Sequence, residues 1–242
     1  MSRNFELLKQ LEVEVDHSLP LHTETDGLIA KQASSAEAVR LFGVETVHLV
    51  QTVFLSATPR SSRKVVFCGV DGGSGSSSVC ASAGRALTAI SDKSICLVDA
   101  DVRLQYLSSA FGISNSIPFP SAASVRERCA HIEGNLWLAG TDLLANDCGV
   151  LLTSVELRHR LTQLMDAFDY LLVNAPGIGV SRDAALVGEV VGAAILVVEA
   201  NATRRQTARR AKESLEAAGV RLLGTVLRNR SFPIPESIYK RL

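Results

Sequence analysis

Val70-Asp71-Gly72-Gly73-Ser74-Gly75-Ser76-Ser77-Ser78 is the stretch on which the fold of this chain turns. An apolar run, Val65-Val66-Phe67-Cys68-Gly69-Val70, leads into it, and Val79-Cys80-Ala81-Ser82-Ala83-Gly84-Arg85-Ala86-Leu87 follows with helical character. Strand, glycine loop and helix in that order make a phosphate-binding loop, where backbone N–H groups and a helix N-terminus face an anion. The pattern G-x-x-x-x-G-K-[ST] places a Lys after its last Gly to reach the β- and γ-phosphates. Ser76 stands there instead. The scaffold is that of a nucleotide enzyme, and the cation its chemistry uses is missing.

Downstream of the loop, strand-like and helix-like segments alternate. Strands are predicted at 65–70, 94–99, 136–139, 170–174, 194–199 and 222–227. Most are continuous apolar runs, as expected of parallel strands covered on both faces. Helices are predicted at 77–90, 104–111, 153–167 and 203–218, with Gly219 as the C-terminal cap of the last. The alternation predicts an α/β fold, a doubly wound, mostly parallel sheet with helices on both faces and a ligand crevice at the carboxyl ends of its strands. Ahead of the loop, residues 1–33 read as a polar lead-in with a short helix at 5–13. Ser34-Ser35-Ala36-Glu37 resembles a capping box opening a helix from Ala38 to Leu55. Residues 34–242 read as one domain.

The strand ends carry the chemistry. Ile95-Cys96-Leu97-Val98-Asp99-Ala100-Asp101-Val102-Arg103 delivers two carboxylates from a hydrophobic strand to the neighbourhood of the loop. One could hold the water shell of Mg²⁺ and the other take a proton from an attacking hydroxyl. Equally, both could cap the following helix, Asp101 pairing with Arg103. Phe168-Asp169-Tyr170-Leu171-Leu172-Val173-Asn174-Ala175-Pro176-Gly177 ends in Asn174, where phosphate-loop proteins present a metal-facing acid. Asn has nearly the same shape and no charge. It could also simply close a turn before Pro176.

These segments, with Gly224-Thr225-Val226-Leu227-Arg228-Asn229-Arg230-Ser231-Phe232-Pro233-Ile234-Pro235-Glu236-Ser237, resemble the bacterial tyrosine kinases that accompany capsule and exopolysaccharide polymerisation and export. The resemblance runs over residues 34–242. It implies a nucleotide site at Gly72, Gly73, Gly75, Ser76, Ser77, Ser78, Arg228 and Asn229. It also implies metal ligation by Ser77 and Asp99, and catalysis by Asp99 and Asp101 if the site is active. Departures from the family pattern are equally plain. Its loop lysine is Ser76, a second lysine of partition-type relatives is Asp71, and its third-strand acid is Asn174. Its E-x-x-R-x-x-R oligomerisation helix keeps Glu37 and Arg40 but has Gly43 in the last place, and its tyrosine-rich tail is reduced to Tyr239.

Hydrogen bonds to charged groups contribute ~1.5–3 kcal/mol each, so loss of the lysine weakens phosphate binding tens- to hundreds-fold and transfer chemistry more. The expectation is a degenerate, non-catalytic, cytoplasmic component of polysaccharide synthesis or export. Its implied partner is a membrane co-polymerase or chain-length regulator, with a homo-oligomer through the Glu37 and Arg40 helix left open. No cofactor is expected beyond weakly held ATP or ADP with Mg²⁺. The alternative is an active tyrosine autokinase or ATPase with an altered loop. A dinucleotide-binding enzyme, with Asp99 on the ribose, is a third reading that the loop spelling disfavours.

Composition narrows the field further. Lys and Arg total 25 against 25 Asp and Glu, and this balance argues against a nucleic-acid partner. Cys68, Cys80, Cys96, Cys129 and Cys148 show no C-x-x-C spacing and read as small core residues of a reducing compartment. His131 and His159 have no companions at zinc spacing. The basic cluster from Thr203 to Lys212 reads as a solvated helix face before it reads as a docking surface.

Overall fold

The computed structural model describes residues 13–15, 35–57, 61–72, 75–113, 124–146 and 149–229. Its strands are β1 (Val13–Val15), β2 (Lys64–Gly69), β3 (Ile95–Asp99), β4 (Ala130–Glu133), β5 (Leu136–Ala139), β6 (Tyr170–Ala175), β7 (Ala193–Glu199) and β8 (Arg221–Arg228). They form one 8-stranded sheet in the order β1-β8-β7-β2-β6-β3-β5-β4. All neighbours are parallel except the β4–β5 hairpin at one edge. The doubly wound α/β expectation holds.

Because side chains alternate across a strand, each continuous apolar run feeds both faces of the sheet. Val65, Phe67, Ile95, Leu97, Tyr170, Leu172, Ile195 and Val197 pack on one side with the helix α3 (Ser76–Ile90). Val66, Cys68, Cys96, Val98, Leu171, Val173, Ala194 and Leu196 pack on the other. There they meet α5 (Ser154–Ala167), α6 (Asp183–Val191) and α7 (Arg205–Ala217). Cys68 and Cys96 are wholly buried in these strands, and burial pushes the Cys68 thiol up to about 12, so both serve as packing. A reciprocal capping box, Thr153 with Glu156, starts α5.

Three expectations need correction. The helix predicted from Ala38 to Leu55 is broken at Gly43, which has φ +82, into α1 (Ser35–Phe42) and α2 (Val44–Val50). A π-helical turn, Gln51–Leu55, continues α2, and the two parts meet at 117°. A positive φ ends the first helix because no regular right-handed turn accommodates it. Val13, assigned to a short helix, opens the strand β1 instead, beside β8; the rest of that helix and Ser34 of the capping box lie outside the described residues. The edge strand β4 and helix α6 were not predicted at all. Gly219, with φ +74, does close α7 as expected. Among the described residues no single helix is long and apolar enough to cross a membrane.

Candidate functional site

Seven of the eight strands are parallel, so their carboxyl ends gather on one rim of the sheet. The chain returns to β2 from both sides, with β6 on one flank and β7 on the other. The crevice of a doubly wound sheet lies at this reversal. The glycine loop leaves β2 directly into it. Gly75 ends the loop in left-handed geometry (φ 66, ψ 29) and stands as the N-cap of α3. Its first-turn N–H groups and the helix dipole point into the crevice. Ser76 is 8% exposed, Ser77 and Ser78 are half-buried, and Asp71 and Gly72 are exposed. Gly73, also assigned to the nucleotide site, lies outside the described residues. The Ser78 hydroxyl lies 3.4 Å from the Tyr106 hydroxyl, which projects from α4 (Tyr106–Ala110).

Strand parity decides which ends share this crevice. Asp99 follows Ile95 and Leu97, and Asn174 follows Tyr170 and Leu172, so both side chains emerge on the α3 side. They are direct register partners. The Asn174 amide donates from Nδ2 to Asp99 Oδ1 at 3.1 Å, and Leu107 donates its backbone N–H to Asp99 Oδ2 at 2.9 Å. Both residues are 0% exposed. Burial raises the Asp99 carboxyl above the usual carboxylate range, opposed chiefly by the Asn174 hydrogen bond. Burial first, and then the nearby Asp99 charge, push the Cys80 thiol well above its ordinary value. Asn174 Oδ1 is buried and accepts no hydrogen bond from the described residues.

Asp101 has a different task. Its Oδ1 accepts from the backbone N–H groups of Arg103 (3.2 Å) and Leu104 (3.3 Å). These bonds close the turn ahead of α4 and do not cap that helix, whose first-turn Leu107 N–H goes to Asp99 instead; the bond to Arg103 is to its backbone and not to its guanidinium. Arg228 and Asn229, placed in the site by resemblance, do reach the rim. Arg228 pairs in register with Glu199 and is 7% exposed, its guanidinium against Gly75. Asn229 is exposed and donates from Nδ2 to Glu199 Oε1 at 2.8 Å.

Sequence reading missed Gly177-Ile178-Gly179, which carries the loop's support. Ile178 N–H donates to Gly69 O (2.9 Å) and Gly179 N–H to Val70 O (3.1 Å). A Cβ at Gly177 would stand 2.5 Å from Asp71 O, so only glycine lets the two turns touch. The Pro-Gly-x-Gly spelling after an apolar strand was the available signal.

A Mg-nucleotide is what a phosphate loop of this kind implies, and the residues present fit it in part. Asp99 uses both oxygens internally, and Asn174 brings no charge. Among the described residues no group of three or more His, Cys, Asp or Glu side chains could hold a metal ion. What remains for a divalent cation is the buried Asp99 carboxylate and the Ser77 hydroxyl.

No protein-family profile matches the chain. It is 26% identical over 140 residues to tyrosine-protein kinase YwqD of Bacillus subtilis, covering 56% of this chain and 59% of that one. It is 26% identical over 137 residues to tyrosine-protein kinase CpsD of Streptococcus agalactiae, covering 54% and 59%. The chain thus matches less than two thirds of the length of these relatives. Among solved structures it superimposes on the kinase domain of Escherichia coli tyrosine kinase ETK with a TM-score of 0.67. That match covers 97% of this chain and 98% of that one at 18% identity, and it establishes the shared fold.

Proposed function

Taking the chain as a homologue of the bacterial tyrosine kinases, we propose that it has given up phosphoryl transfer. In this reading it works as a non-catalytic, cytoplasmic component of polysaccharide synthesis or export, in contact with a membrane co-polymerase that regulates chain length. The observation that carries the reading is the Asp99–Asn174 pair. At 0% exposure, a neutral amide donates to the carboxylate at 3.1 Å where a metal and its acids would have to stand. A wholly buried carboxylate that already accepts from Asn174 and Leu107 is poorly placed to meet hydrated Mg²⁺ or a substrate hydroxyl. The absence of a lysine at Ser76 removes the group that stabilises charge on the transferring phosphoryl.

Nothing in this reading requires a homo-oligomer. Gly43, at φ +82, ends the helix that carries Glu37 and Arg40, so an arginine in that place would have to sit in strained left-handed geometry.

The test is steady-state release of phosphate from Mg-ATP, with an anti-phosphotyrosine blot of the same reaction. The expected result is release at the no-protein level and no phosphotyrosine. Sustained release that Asp99→Asn abolishes would overturn the proposal and favour the active autokinase or ATPase. Retention of the chain by immobilised cytoplasmic segments of a co-polymerase, in buffer without nucleotide, tests the partner.

A further inference from the structure

The basic cluster of α7 divides in two. Arg209 and Lys212 each pair with an acid one turn further on, Glu213 at 2.9 Å and Glu216 at 3.4 Å. The start of the helix is different. Arg204 is exposed and makes no ion pair among the described residues. It is the N-cap of α7, with no side-chain hydrogen bond to the helix and no acid in the first turn, and Arg205 beside it is exposed too. The neighbouring helix repeats the arrangement. Arg182 is the N-cap of α6, makes no capping bond, and is likewise exposed and without an ion pair among the described residues.

Topology brings these arginines together. β6 and β7 flank β2, and the helices that follow them, α6 and α7, pack side by side on one face of the sheet. Both helices start at the carboxyl rim, so Arg182, Arg204 and Arg205 stand at one corner of it. Val180, 45% exposed, adds an apolar side chain there. The acids at hand are Asp183, which is half-buried, Glu199, which accepts from Asn229, and Asp71 on the adjoining loop. Helix starts ordinarily carry Ser, Thr, Asp or Asn, whose oxygens accept from the first N–H groups, whereas an arginine meets the positive end of the dipole. Local preference is overruled at both starts, and positions where it is overruled are commonly those that serve binding.

The chain carries 25 Lys and Arg against 25 Asp and Glu, so this corner is a local patch and no part of a broad positive field. A bilayer or a nucleic acid engages many phosphates at once and is drawn by a broad field. A short acidic segment needs only two or three guanidinium groups, each able to take a carboxylate through parallel N–H donors. We propose that Arg182, Arg204 and Arg205, with Val180, form a docking surface for an extended acidic segment of a partner protein. The inference goes beyond the non-catalytic reading and stands whether or not the chain turns over ATP.

A fluorescein-labelled octaglutamate peptide, titrated with the whole chain at low salt and followed by anisotropy, tests this. Wild type should bind, and the double variant Arg182→Ser with Arg204→Ser should bind ~10-fold more weakly. Arg209→Ser, on the paired half of α7, should bind as wild type does. The urea midpoint of the double variant should equal or exceed that of wild type, because taking arginine from a helix start removes an unfavourable dipole interaction. No binding by wild type at millimolar peptide, or an equal loss in Arg209→Ser, would overturn the proposal. So would a lowered midpoint in the double variant, which would make the arginines part of the fold. Phosphatidylglycerol vesicles and a short single-stranded DNA are run beside the peptide. Tighter binding of either, lost in the double variant, would overturn the proposal by assigning the corner to a lipid surface or to a nucleic acid.

Discussion

Two arginines lean on the same helix, α3, and are held in contrasting ways. Arg85 projects from α3 to the sheet edge, where its Nε meets Glu133 Oε1 of β4 at 2.9 Å, with side chains 14% and 15% exposed. Arg228 approaches the opposite end of α3 from β8 and is seated on a glycine. The first has a carboxylate of its own, so its charge is spent on joining helix to hairpin. The second is more buried and lies where a helix terminus already concentrates positive potential. The contrast is one of place: one guanidinium ties the helix to an edge hairpin, and the other sits at the carboxyl rim of the sheet beside the glycine loop.

The largest test of the contrast lies at the strand ends between them. Asn174→Asp should place a second carboxylate against Asp99 and destabilise the chain by on the order of 3 kcal/mol at pH 7. Its sign with pH is fixed. Well below pH 4, the ordinary unfolded value, both carboxyls are protonated in either state, and burial raises the folded value of Asp99. The penalty is therefore absent in acid, grows as pH rises from the unfolded value towards the folded one, and is complete above it. Urea midpoints for wild type and Asn174→Asp at pH 4 and pH 7 would show the gap open with pH. Recovery of the midpoint by millimolar Mg²⁺ would mean that the crevice can still hold a metal.

Gly75→Ala should cost about 2 kcal/mol, from left-handed strain and from displacing the Arg228 guanidinium. A urea midpoint as high as that of wild type would mean that the seat of Arg228 is unimportant. At the sheet edge, Arg85→Met should cost about 1–2 kcal/mol by leaving the half-buried Glu133 carboxylate without its partner. A urea midpoint equal to that of wild type would mean that the tie between helix and hairpin carries little stability. The smallest effect belongs to Arg209→Ala on α7. Its pair with Glu213 at 2.9 Å is solvent-exposed, with side chains 79% and 57% accessible, so about 0.3 kcal/mol is expected in a thermal melt. That pair, with Lys212–Glu216 at 3.4 Å, supports the solvated-face reading of the basic cluster.

Six of the eight strands were legible from apolar runs alone, since a strand buried on both faces must be apolar at successive positions. β4 was not, because an edge strand of four residues (Ala-His-Ile-Glu) buries little and its pairing comes from a hairpin. Helix α6 escaped because Asp183–Val191 reads as another apolar run, and periodicity alone does not separate buried strand from buried helix. The Ala38–Leu55 periodicity was real on both sides of Gly43, but a repeat of apolar residues carries no information about a φ of +82 between them. At the site, Asp99, Asn174 and Arg228 were all named in advance. Their relations were not.

Local rules therefore reached the doubly wound sheet, the glycine loop, its missing lysine and the neutral residue at Asn174. Each of these follows from neighbours in the chain or from a pattern of period two or near four. Folding alone decided that Asn174 donates to Asp99, that Gly177 backs the turn at Asp71, and that Arg228 sits on Gly75. Those partners are far apart along the chain and meet only because strand order, register and face bring them to one rim. A one-residue slip in register would turn each side chain to the other face.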